Sequence, residues 1–426
     1  PASYRPVSLT PVFLKIIESI IYSQLCNYLN QGNIICNEQF GFRKGKSTVD
    51  AMDSLVKKIM FTFENRGFLQ ATFCDLSRAF DCVDHDVLLD KLSYYGISDK
   101  SVSVLKSFLE RRQQIVCIGN DRSDVVELKY GVPQGSVLGP LLFILMINDL
   151  PYFINTQTIL YADDTTFINC SSKFNDLQNL TQNTLSQASL WFRANGFLLN
   201  DCKTQQLYFS LRGIPEHNNT DSVKFLGLFL DMKLTWEPHV NFVTIRLSRV
   251  IYLLRNLKNC VPDNYVRSAY FAFFQSIISY GILLWGNSAH VHRILILQKK
   301  EVRILTDSHK LDHCRPLFIR LSCLTVINLY IYKVLMYTKN KFSYHVLRQD
   351  IHKYNTRHNN KINVPFHRLS KSVNSYEVLG LRMFNKLPLE LTKLPVNIFK
   401  CRLYNWLVNN PFYSISEYFE CDTIVI

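Results

Sequence analysis

The chain has 426 residues, of which 47% are hydrophobic and 19% charged, and this balance excludes a disordered chain. Its 15 glycines and 14 prolines are too few for a collagen-like or low-complexity protein. The net charge of +14 is unevenly distributed: residues 1–240 carry 22 basic and 24 acidic residues, whereas residues 241–426 carry 26 basic and 10 acidic ones. A basic half with interleaved aromatic residues favours nucleic acid as a partner, the alternative being a lysine-rich soluble surface.

The cysteine spacing and the N-terminus bear on the compartment. The twelve cysteines show no paired short spacing, and no charged-then-apolar leader opens the chain, so we expect an intracellular protein with reduced thiols. The longest apolar segment, Tyr270–Trp285, is shorter than the about 20 residues of a membrane span, so we expect a buried helix. The chain begins at Pro1 without an initiator methionine, so we expect a piece of a longer protein.

The first half of the chain alternates segments with helical and with β-prone spacing. Apolar residues three and four apart predict helices, and short β-branched or aromatic runs predict strands. Up to residue 130 the predicted elements are a helix from Phe13 to Leu25, a basic loop at Gly41–Gly45, a helix over Thr48–Met60, a strand over Gln70–Cys74, a helix through Leu92 stopped by Gly96, a helix over Val102–Leu109, and strands over Gln114–Ile118 and Val125–Tyr130.

The next segment predicts a turn, a helix and a hairpin. The turn Gly131–Ser136 opens an apolar helix, Leu141–Leu150, which we expect Pro151 to end. The β-rich runs Thr158–Tyr161 and Thr165–Ile168 are separated by only three residues, so they predict a hairpin with acids at its tip.

Helical character increases towards the C-terminus. An amphipathic helix is predicted over Leu177–Trp191, and residues 205–210 and 223–230 are strand-like. From about residue 240 onward the sequence is mostly helical and basic.

Three aspartates have a context that suggests metal binding. Asp163 and Asp164 are adjacent in the predicted hairpin turn, and Asp75 ends a predicted strand. Adjacent carboxylates repel each other unless a cation shares them, and hard oxygen ligands suit Mg²⁺. Two such ions can promote an in-line displacement at phosphorus. Taken alone, the pair is better explained by the preference of aspartate for turns, so the surrounding motifs must decide.

Six segments supply that context. In chain order they are Asn37–Arg43 with Ser47–Thr48, Phe73–His85, Gly131–Pro140, Tyr161–Thr165, Asn200 with Lys203–Thr204, and Phe225–Gly227. In composition and order they resemble the boxes of reverse transcriptases of non-LTR retrotransposons of the LINE type, and jockey-like elements most of all. Two later segments, Ser279–Gly286 and Arg382–Pro388, are more loosely similar to segments that such elements carry behind the polymerase core.

The resemblance implies a metal-binding triad. Asp75, Asp163 and Asp164 match the three catalytic carboxylates, and the backbone carbonyl of Leu76 would help to hold one ion. The implied cofactor is a pair of Mg²⁺ ions, with Mn²⁺ as an alternative.

The resemblance also implies contacts with the nucleotide. Phe80 matches a steric gate that leaves no room for a ribose 2′-OH, the alternative being core packing. Gln134 matches a residue near the incoming nucleotide and the template, and Gly135 allows close backbone approach, the alternative being a plain turn.

Two basic positions match roles at the phosphates. Arg43, with weaker support from Lys44 and Lys46, matches a triphosphate clamp, the alternative being a solvated loop. Lys203 matches a candidate general acid for the pyrophosphate leaving group.

Two further sets concern the nucleic acid. The implied primer grip is formed by Phe225, Leu226 and Gly227. An amphipathic segment carries three basic residues that either track the duplex backbone or form a solvated helix face: Lys299, Lys300 and Arg303.

These observations together predict an α+β fold of the right-hand polymerase type, with an antiparallel palm sheet and a mostly helical basic C-terminal region. We expect fingers, palm and primer grip over residues 1–240, a helical thumb over 241–310, and a basic helical region over 311–426. The expected protein is a fragment of such an element that lacks its endonuclease and the start of the fingers, and it acts in the nucleus.

The expected reaction is RNA-templated addition of deoxynucleotides to a DNA 3′-OH, with RNA template, DNA primer and dNTPs as partners and no membrane contact. The alternative is a truncated, non-catalytic nucleic-acid-binding remnant. An RNA-templated RNA polymerase is disfavoured, because Ala162 precedes the aspartate pair and Phe80 excludes the 2′-OH.

Overall fold

The structure is a computed structural model, and it describes residues 7–200, 202–214, 221–351 and 360–421. The chain divides into two compact units, Pro1–Leu226 and Gly227–Ile426. The first unit is mixed α+β and the second is mostly helical, as the sequence predicts.

The first unit contains a central sheet with helices around it. Its helices are α1 (Val12–Gln31), α2 (Thr48–Glu64), α3 (His85–Tyr94), α4 (Asp99–Leu109), α5 (Gly139–Ile147), α6 (Leu150–Phe153) and α7 (Phe174–Ala194). Its strands are β1 (Phe68–Cys74), β2 (Arg112–Gln114), β3 (Cys117–Ile118), β4 (Asp121–Arg122), β5 (Val126–Leu128), β6 (Gln157–Tyr161), β7 (Asp164–Ser171), β8 (Gln205–Phe209) and β9 (Ser222–Phe225).

The central sheet has four antiparallel strands in the order β6-β7-β1-β8. In the β1–β7 pair, Cys74 lies opposite Thr165. In the β6–β7 hairpin, Tyr161 lies opposite Asp164, so Ala162 and Asp163 form the turn. The end of β1 and the tip of the hairpin therefore meet at one edge of the sheet.

Both faces of this sheet are covered. The Thr181 hydroxyl of α7 donates a hydrogen bond to Gln70 at 2.6 Å, and the Thr62 hydroxyl of α2 reaches Cys170 on the other face. Because β1 is buried on both faces, its sequence is not a simple apolar–polar alternation. Helix α5 is apolar on all sides and almost entirely buried, as expected for a central core helix.

The second unit begins with a strand and continues as helices. Its elements are β10 (Leu228–Asp231), α8 (Glu237–Lys258), α9 (Asp263–Ala269), a π-helical turn (Tyr270–Gln275), α10 (Ser276–Ser279), α11 (Ile282–Trp285), α12 (His292–Leu305), α13 (Cys314–Leu321), α14 (Val326–Asn340), a 3₁₀ turn (Phe342–Tyr344), α15 (Arg348–Ile351), α16 (Ser370–Val373), α17 (Tyr376–Phe384), α18 (Leu389–Lys393), α19 (Val396–Asn409) and α20 (Ile415–Glu420).

Buried side-chain amides form hydrogen bonds between the elements of this helical unit. Gln298 of α12 donates to the Tyr270 hydroxyl and to the Leu324 carbonyl, both at 2.9 Å. Asn328 of α14 donates to the carbonyls of Leu407 and Asn410. These bonds satisfy polar groups that would otherwise be costly to bury.

Two sequence predictions need correction. Pro151 does not end a helix but lies in the first turn of α6, where the missing N–H costs nothing. The strand-like segment 223–230 is broken after Phe225, because Leu226 and Gly227 have φ angles of 44° and 89°. A left-handed backbone cannot continue a strand.

Two further segments, α1 and Tyr270–Trp285, pack differently from what their apolar sequences predict. The apolar face of α1 is largely exposed, with Phe13 82% exposed, and Leu25 and Leu29 are its buried apolar residues. Tyr270–Trp285 is not one helix, because the chain bends at Tyr280 and Gly281. In the described part of the chain no single helix is long and apolar enough to cross a membrane; α13 and α14 reach that length only as a pair bent by 54°.

Candidate active site

Most of the predicted catalytic and nucleotide-contacting residues line one cleft of about 960 Å³ in the first unit. The predicted residues in its lining are Asp75, Leu76, Phe80, Gln134, Gly135, Asp163 and Lys203. Asp164, directly after the hairpin turn, is exposed at the start of β7. The cleft is therefore built from the end of β1, the hairpin tip and the loop before α5.

Asp75 is held by the segment that follows α7. Its carbonyl accepts the backbone N–H of Asn200 at 2.9 Å, and the backbone N–H of Ser77 donates to Leu198. The Lys203 ammonium lies 3.4 Å from the Asp75 carboxylate, and the Lys203 side chain is 69% exposed. An exposed ion pair of this kind contributes about 0–1 kcal/mol, so it separates easily.

Phe80 is fixed by aromatic packing. Its ring stacks on Phe143 of α5 with a centroid distance of 4.4 Å, and Phe42 approaches edge-on at 6.4 Å. The ring is partly exposed and also lines the cleft, so Phe80 packs on the core and presents a face to the cleft, and its role as a steric gate stays a prediction.

The loop before α5 requires glycine. Gly135 has a φ of 105°, and a Cβ there would lie 2.9 Å from the Ser8 carbonyl oxygen. The close approach allows the Ser8 N–H to donate to the Gln134 carbonyl at 2.7 Å. The Gln134 amide donates to Asp81 at 3.1 Å, which orients it at the cleft.

A buried carboxylate also holds this loop. Glu18 of α1 is 1% exposed, and one of its oxygens accepts the N–H groups of Val137 and Leu138 at 2.6 and 3.0 Å. A carboxylate at the start of a helix is favourable, because the N–H groups there lack partners within the helix. Glu18 is not among the residues that the sequence predicts for the site; the available signal is that it is the only acidic residue of α1.

The basic side chains of the loop predicted as a triphosphate clamp do not line the cleft. Arg43 donates to the Cys36 carbonyl at 2.7 Å, and it is not among the residues that line the cleft. The Lys46 ammonium donates to the Asn37 carbonyl and lies over the Phe40 ring, while Lys44 is exposed. Burial, and then the Arg43 charge, lower the pKa of Lys46.

The predicted primer-grip residues lie where the first unit ends. Phe225 is buried and its ring contacts Phe73 at a centroid distance of 5.1 Å. Leu226 is the last residue of the first unit and Gly227 the first of the second. A Cβ at Gly227 would lie 3.1 Å from the Tyr280 ring, so the second unit also requires glycine there.

The predicted basic set on α12 is mostly engaged within the protein. The Lys299 ammonium lies 3.5 Å from the centre of the Tyr413 ring, and burial lowers its pKa. Arg303 donates twice to the Asp312 carbonyl, and Lys300 is exposed. A basic face that is open to solvent lies instead on α8, where Arg246, Arg249, Tyr252 and Arg255 are exposed.

The carboxylates of the cleft do not form a closed metal cage. Within the described ranges, no group of three or more His, Cys, Asp or Glu side chains could hold a metal ion. Mg²⁺, however, is usually held by one or two carboxylates, with substrate phosphates and waters completing its coordination. Asp75 and Asp163, which line the same cleft, fit that open arrangement.

The chain is similar to known proteins over most of its length. Residues 1–230 match the family "Reverse transcriptase (RNA-dependent DNA polymerase)". A probable RNA-directed DNA polymerase from transposon BS of Drosophila melanogaster is 33% identical over 337 residues, which are 72% of this chain and 36% of the relative. The RNA-directed DNA polymerase from mobile element jockey of the same species is 29% identical, with 72% of this chain and 36% of the relative covered.

Solved structures of telomerase are also similar. Apo telomerase from Candida tropicalis has a TM-score of 0.42 and 16% identity, covering 74% of this chain and 54% of that chain.

The chain spans about a third of the length of the curated relatives it matches. The family match covers more than half of the chain, and it includes the cleft with its two aspartates. It agrees with the α+β right-hand polymerase class predicted from the sequence boxes. The chain belongs to the reverse transcriptase family, the RNA-dependent DNA polymerases.

Proposed function

We propose that the chain is an RNA-directed DNA polymerase that adds deoxynucleotides to a DNA 3′-OH on an RNA template during retrotransposition of a non-LTR element. The observation that carries the proposal is that Asp75, Asp163, Phe80 and Gln134 line one cleft in a member of the reverse transcriptase family. Carboxylates can hold the metal ions that bind phosphates, an apolar ring can pack against a deoxyribose, and an amide can hydrogen-bond a base.

The proposed cofactor is Mg²⁺, as two ions, with Mn²⁺ as a substitute. Asp75, Asp163 and Asp164 would hold the ions together with the Leu76 carbonyl. When bound, such ions activate the attacking hydroxyl and stabilise the leaving pyrophosphate. The protein's own part is positioning and electrostatics, as in phosphoryl transfer generally.

Lys203 is proposed to protonate the leaving pyrophosphate. Its ammonium pairs with Asp75 in this structure, and a cation bound at Asp75 competes for the same carboxylate. The pair is exposed and weak, so Lys203 can turn from Asp75 to the phosphates at little cost. Arg43 is proposed to assist at the triphosphate, which requires the loop from Arg43 to Lys46 to shift towards the cleft.

Nucleic acid is proposed to contact both units. In the first unit, Phe225 and Leu226 are the proposed primer contacts, with Gly227 completing the turn. In the second unit, the exposed face of α8 combines Arg246, Arg249 and Arg255 with Tyr252, which suits phosphates and stacked bases. We further propose that the primer is a nick in chromosomal DNA, as in the family that the sequence boxes resemble, and that the protein therefore acts in the nucleus.

Primer extension tests the proposal. Purified chain, poly(rA)/oligo(dT), Mg²⁺ and dTTP should give extended oligo(dT), with UTP used much less efficiently. A non-catalytic remnant predicts instead that the folded chain binds the template–primer and extends nothing. That result would contradict the proposal.

A further inference from the structure

A side chain outside the cleft contacts the backbone of the hairpin turn that carries Asp163. The segment Glu38–Gly41 runs along β6: the Leu160 N–H donates to the Glu38 carbonyl at 2.9 Å, and the Phe40 N–H donates to the Leu160 carbonyl at 2.8 Å. Gln39 lies between these two bonds, in a parallel bridge with Leu160. The pairing brings Gln39 to the end of β6, beside the turn.

The Gln39 side-chain oxygen accepts two backbone hydrogen bonds. One comes from the Gly41 N–H at 2.8 Å and the other from the Ala162 N–H at 3.2 Å. Both partners are donors, so the oxygen end of the amide must face them. One atom therefore joins the Glu38–Gly41 segment to the turn before Asp163.

The backbone that Gln39 holds is not one that alanine adopts readily. Ala162 has a φ of 57°, in the left-handed region that disfavours residues with a Cβ. Gly41 packs directly on the same peptide, since a Cβ there would lie 2.3 Å from the Ala162 nitrogen. The turn thus depends on contacts from the Glu38–Gly41 segment, because its own local preference opposes it.

Gln39 makes these bonds at a cost. It is fully buried, and its amide nitrogen has no hydrogen-bond partner in the described part of the chain. Burying half of an amide unsatisfied is unfavourable. The oxygen that faces the turn is therefore the half of the side chain that stabilises this arrangement.

We propose that Gln39 is a positioning residue for the metal-binding aspartates: its oxygen fixes the left-handed turn at Ala162 and so sets where Asp163 and Asp164 lie relative to Asp75. This inference rests on the proposed polymerase function. The sequence places Gln39 in the Asn37–Arg43 box but indicates no role for its side chain, because its partner Ala162 is 123 positions away.

The test compares Gln39→Met, which keeps the side chain's length and loses the acceptor oxygen, with Gln182→Met, which changes an exposed glutamine of α7. Hydrogen–deuterium exchange of peptides spanning Tyr161–Thr165 should be at least tenfold faster in Gln39→Met and unchanged in the control. Mn²⁺ binding, followed by electron paramagnetic resonance, should weaken three- to tenfold in Gln39→Met alone.

Kinetics separate positioning from general stability. In Gln39→Met, kcat for extension of oligo(dT) should fall at least tenfold, while the KM for dTTP stays within twofold and the metal concentration for half-maximal rate rises. A folded Gln39→Met chain with wild-type exchange at the turn, or with wild-type kcat and metal dependence, would overturn the proposal.

The role of Gln39 can still be tested if Gln39→Met does not fold or if the wild-type chain is inactive. If Gln39→Met does not fold, Gln39→Glu carries the test, because it keeps an acceptor oxygen and should keep slow exchange at the turn; fast exchange in that folded variant overturns the positioning role. If the wild-type chain extends no primer, the proposed function fails, and exchange and Mn²⁺ binding still decide the role of Gln39.

Discussion

Phe80 shows how a core residue can also act at a surface. Its ring stacks on Phe143, and its backbone carbonyl accepts the Val132 N–H at 2.8 Å, so both ends of the residue are fixed. The face that lines the cleft is therefore held in place, and we predict that it leaves no room for a ribose 2′-OH. The expected discrimination is steric and involves no specific bond to the sugar.

We predict that Phe80→Val admits ribonucleotides, because the smaller side chain opens space in the cleft. The ratio of dTTP to UTP incorporation should fall at least tenfold, and the loss of stacking should lower stability by about 1–3 kcal/mol. Phe61→Val, which changes an exposed phenylalanine of α2, is the control and should leave the ratio unchanged. An unaltered ratio in a folded Phe80→Val chain would assign Phe80 to core packing alone.

At this scale the sequence was informative about residues with a chemical signature. Short local boxes predict Asp75, Asp163, Phe80 and Gln134 as site residues, and all four line the cleft. Glu18 was not named, because its partners Val137 and Leu138 are about 120 positions away and no local spacing indicates them. Residues that line a site can be predicted from local motifs, whereas residues that position the site are identified only by their tertiary contacts.

Among the helices, α12 carries a buried acid with an unusual environment. Glu301 is fully buried, and neither of its carboxylate oxygens has a hydrogen-bond partner in the described residues. Desolvation raises its pKa from 4.5 to about 8, against the lowering influence of Arg255, Lys258 and Lys300. The carboxyl group is therefore protonated at neutral pH in the folded chain.

This predicts a pH dependence of stability. Between pH 4.5 and about 8 the unfolded chain loses the Glu301 proton while the folded chain keeps it, so this group's contribution to the free energy of unfolding falls as pH rises through that window. Glu301→Gln removes the titration and should stabilise the protein at pH 8 by on the order of 1–3 kcal/mol. Thermal melting at pH 6 and pH 8 measures it; an identical pH dependence in wild type and variant would contradict the assignment.

Helix α8 gives the clearest prediction about nucleic acid. Replacing Arg246, Arg249 and Arg255 with Gln should weaken binding about equally for unrelated duplexes and make the slope of log K against log salt shallower by roughly 2 to 3. The matched control replaces Lys299, Lys300 and Arg303 with Gln, of which only Lys300 is exposed, and should change the slope by less than about 1. An unchanged slope in the α8 variant would show that this face does not contact phosphates.

Elements were predictable where one signal dominated. The β6–β7 hairpin followed from two β-rich runs with a short acidic turn, and helices α2 and α7 from their apolar spacing. The break at Leu226 was not predictable, because a non-glycine residue with φ of 44° has no local signature. The exposure of Phe13 was not predictable either, since apolar spacing indicates one face of a helix and does not show what covers that face.

In the whole molecule, the boundary in charge along the chain lies close to the boundary between the two compact units. The basic excess lies behind residue 240, and the compact units divide after Leu226, so the first unit carries the cleft and the helical second unit most of the excess charge. The division into a polymerase domain over 1–240, a thumb over 241–310 and a tail over 311–426 stays a prediction. This division assigns catalysis to the first unit and most contacts with the nucleic-acid phosphates to the second.

Asp163→Asn decides whether the cleft of the first unit is a metal-dependent polymerase site. We predict that this variant loses primer extension on poly(rA)/oligo(dT) by at least a thousandfold, because a carboxylate ligand is removed, while template–primer binding is kept or tightens as negative charge leaves. Asp176→Asn, at an exposed position of α7, is the matched control and should extend normally. Full extension by a folded Asp163→Asn chain would show that this carboxylate is not needed for polymerisation and that the cleft is not the proposed metal site.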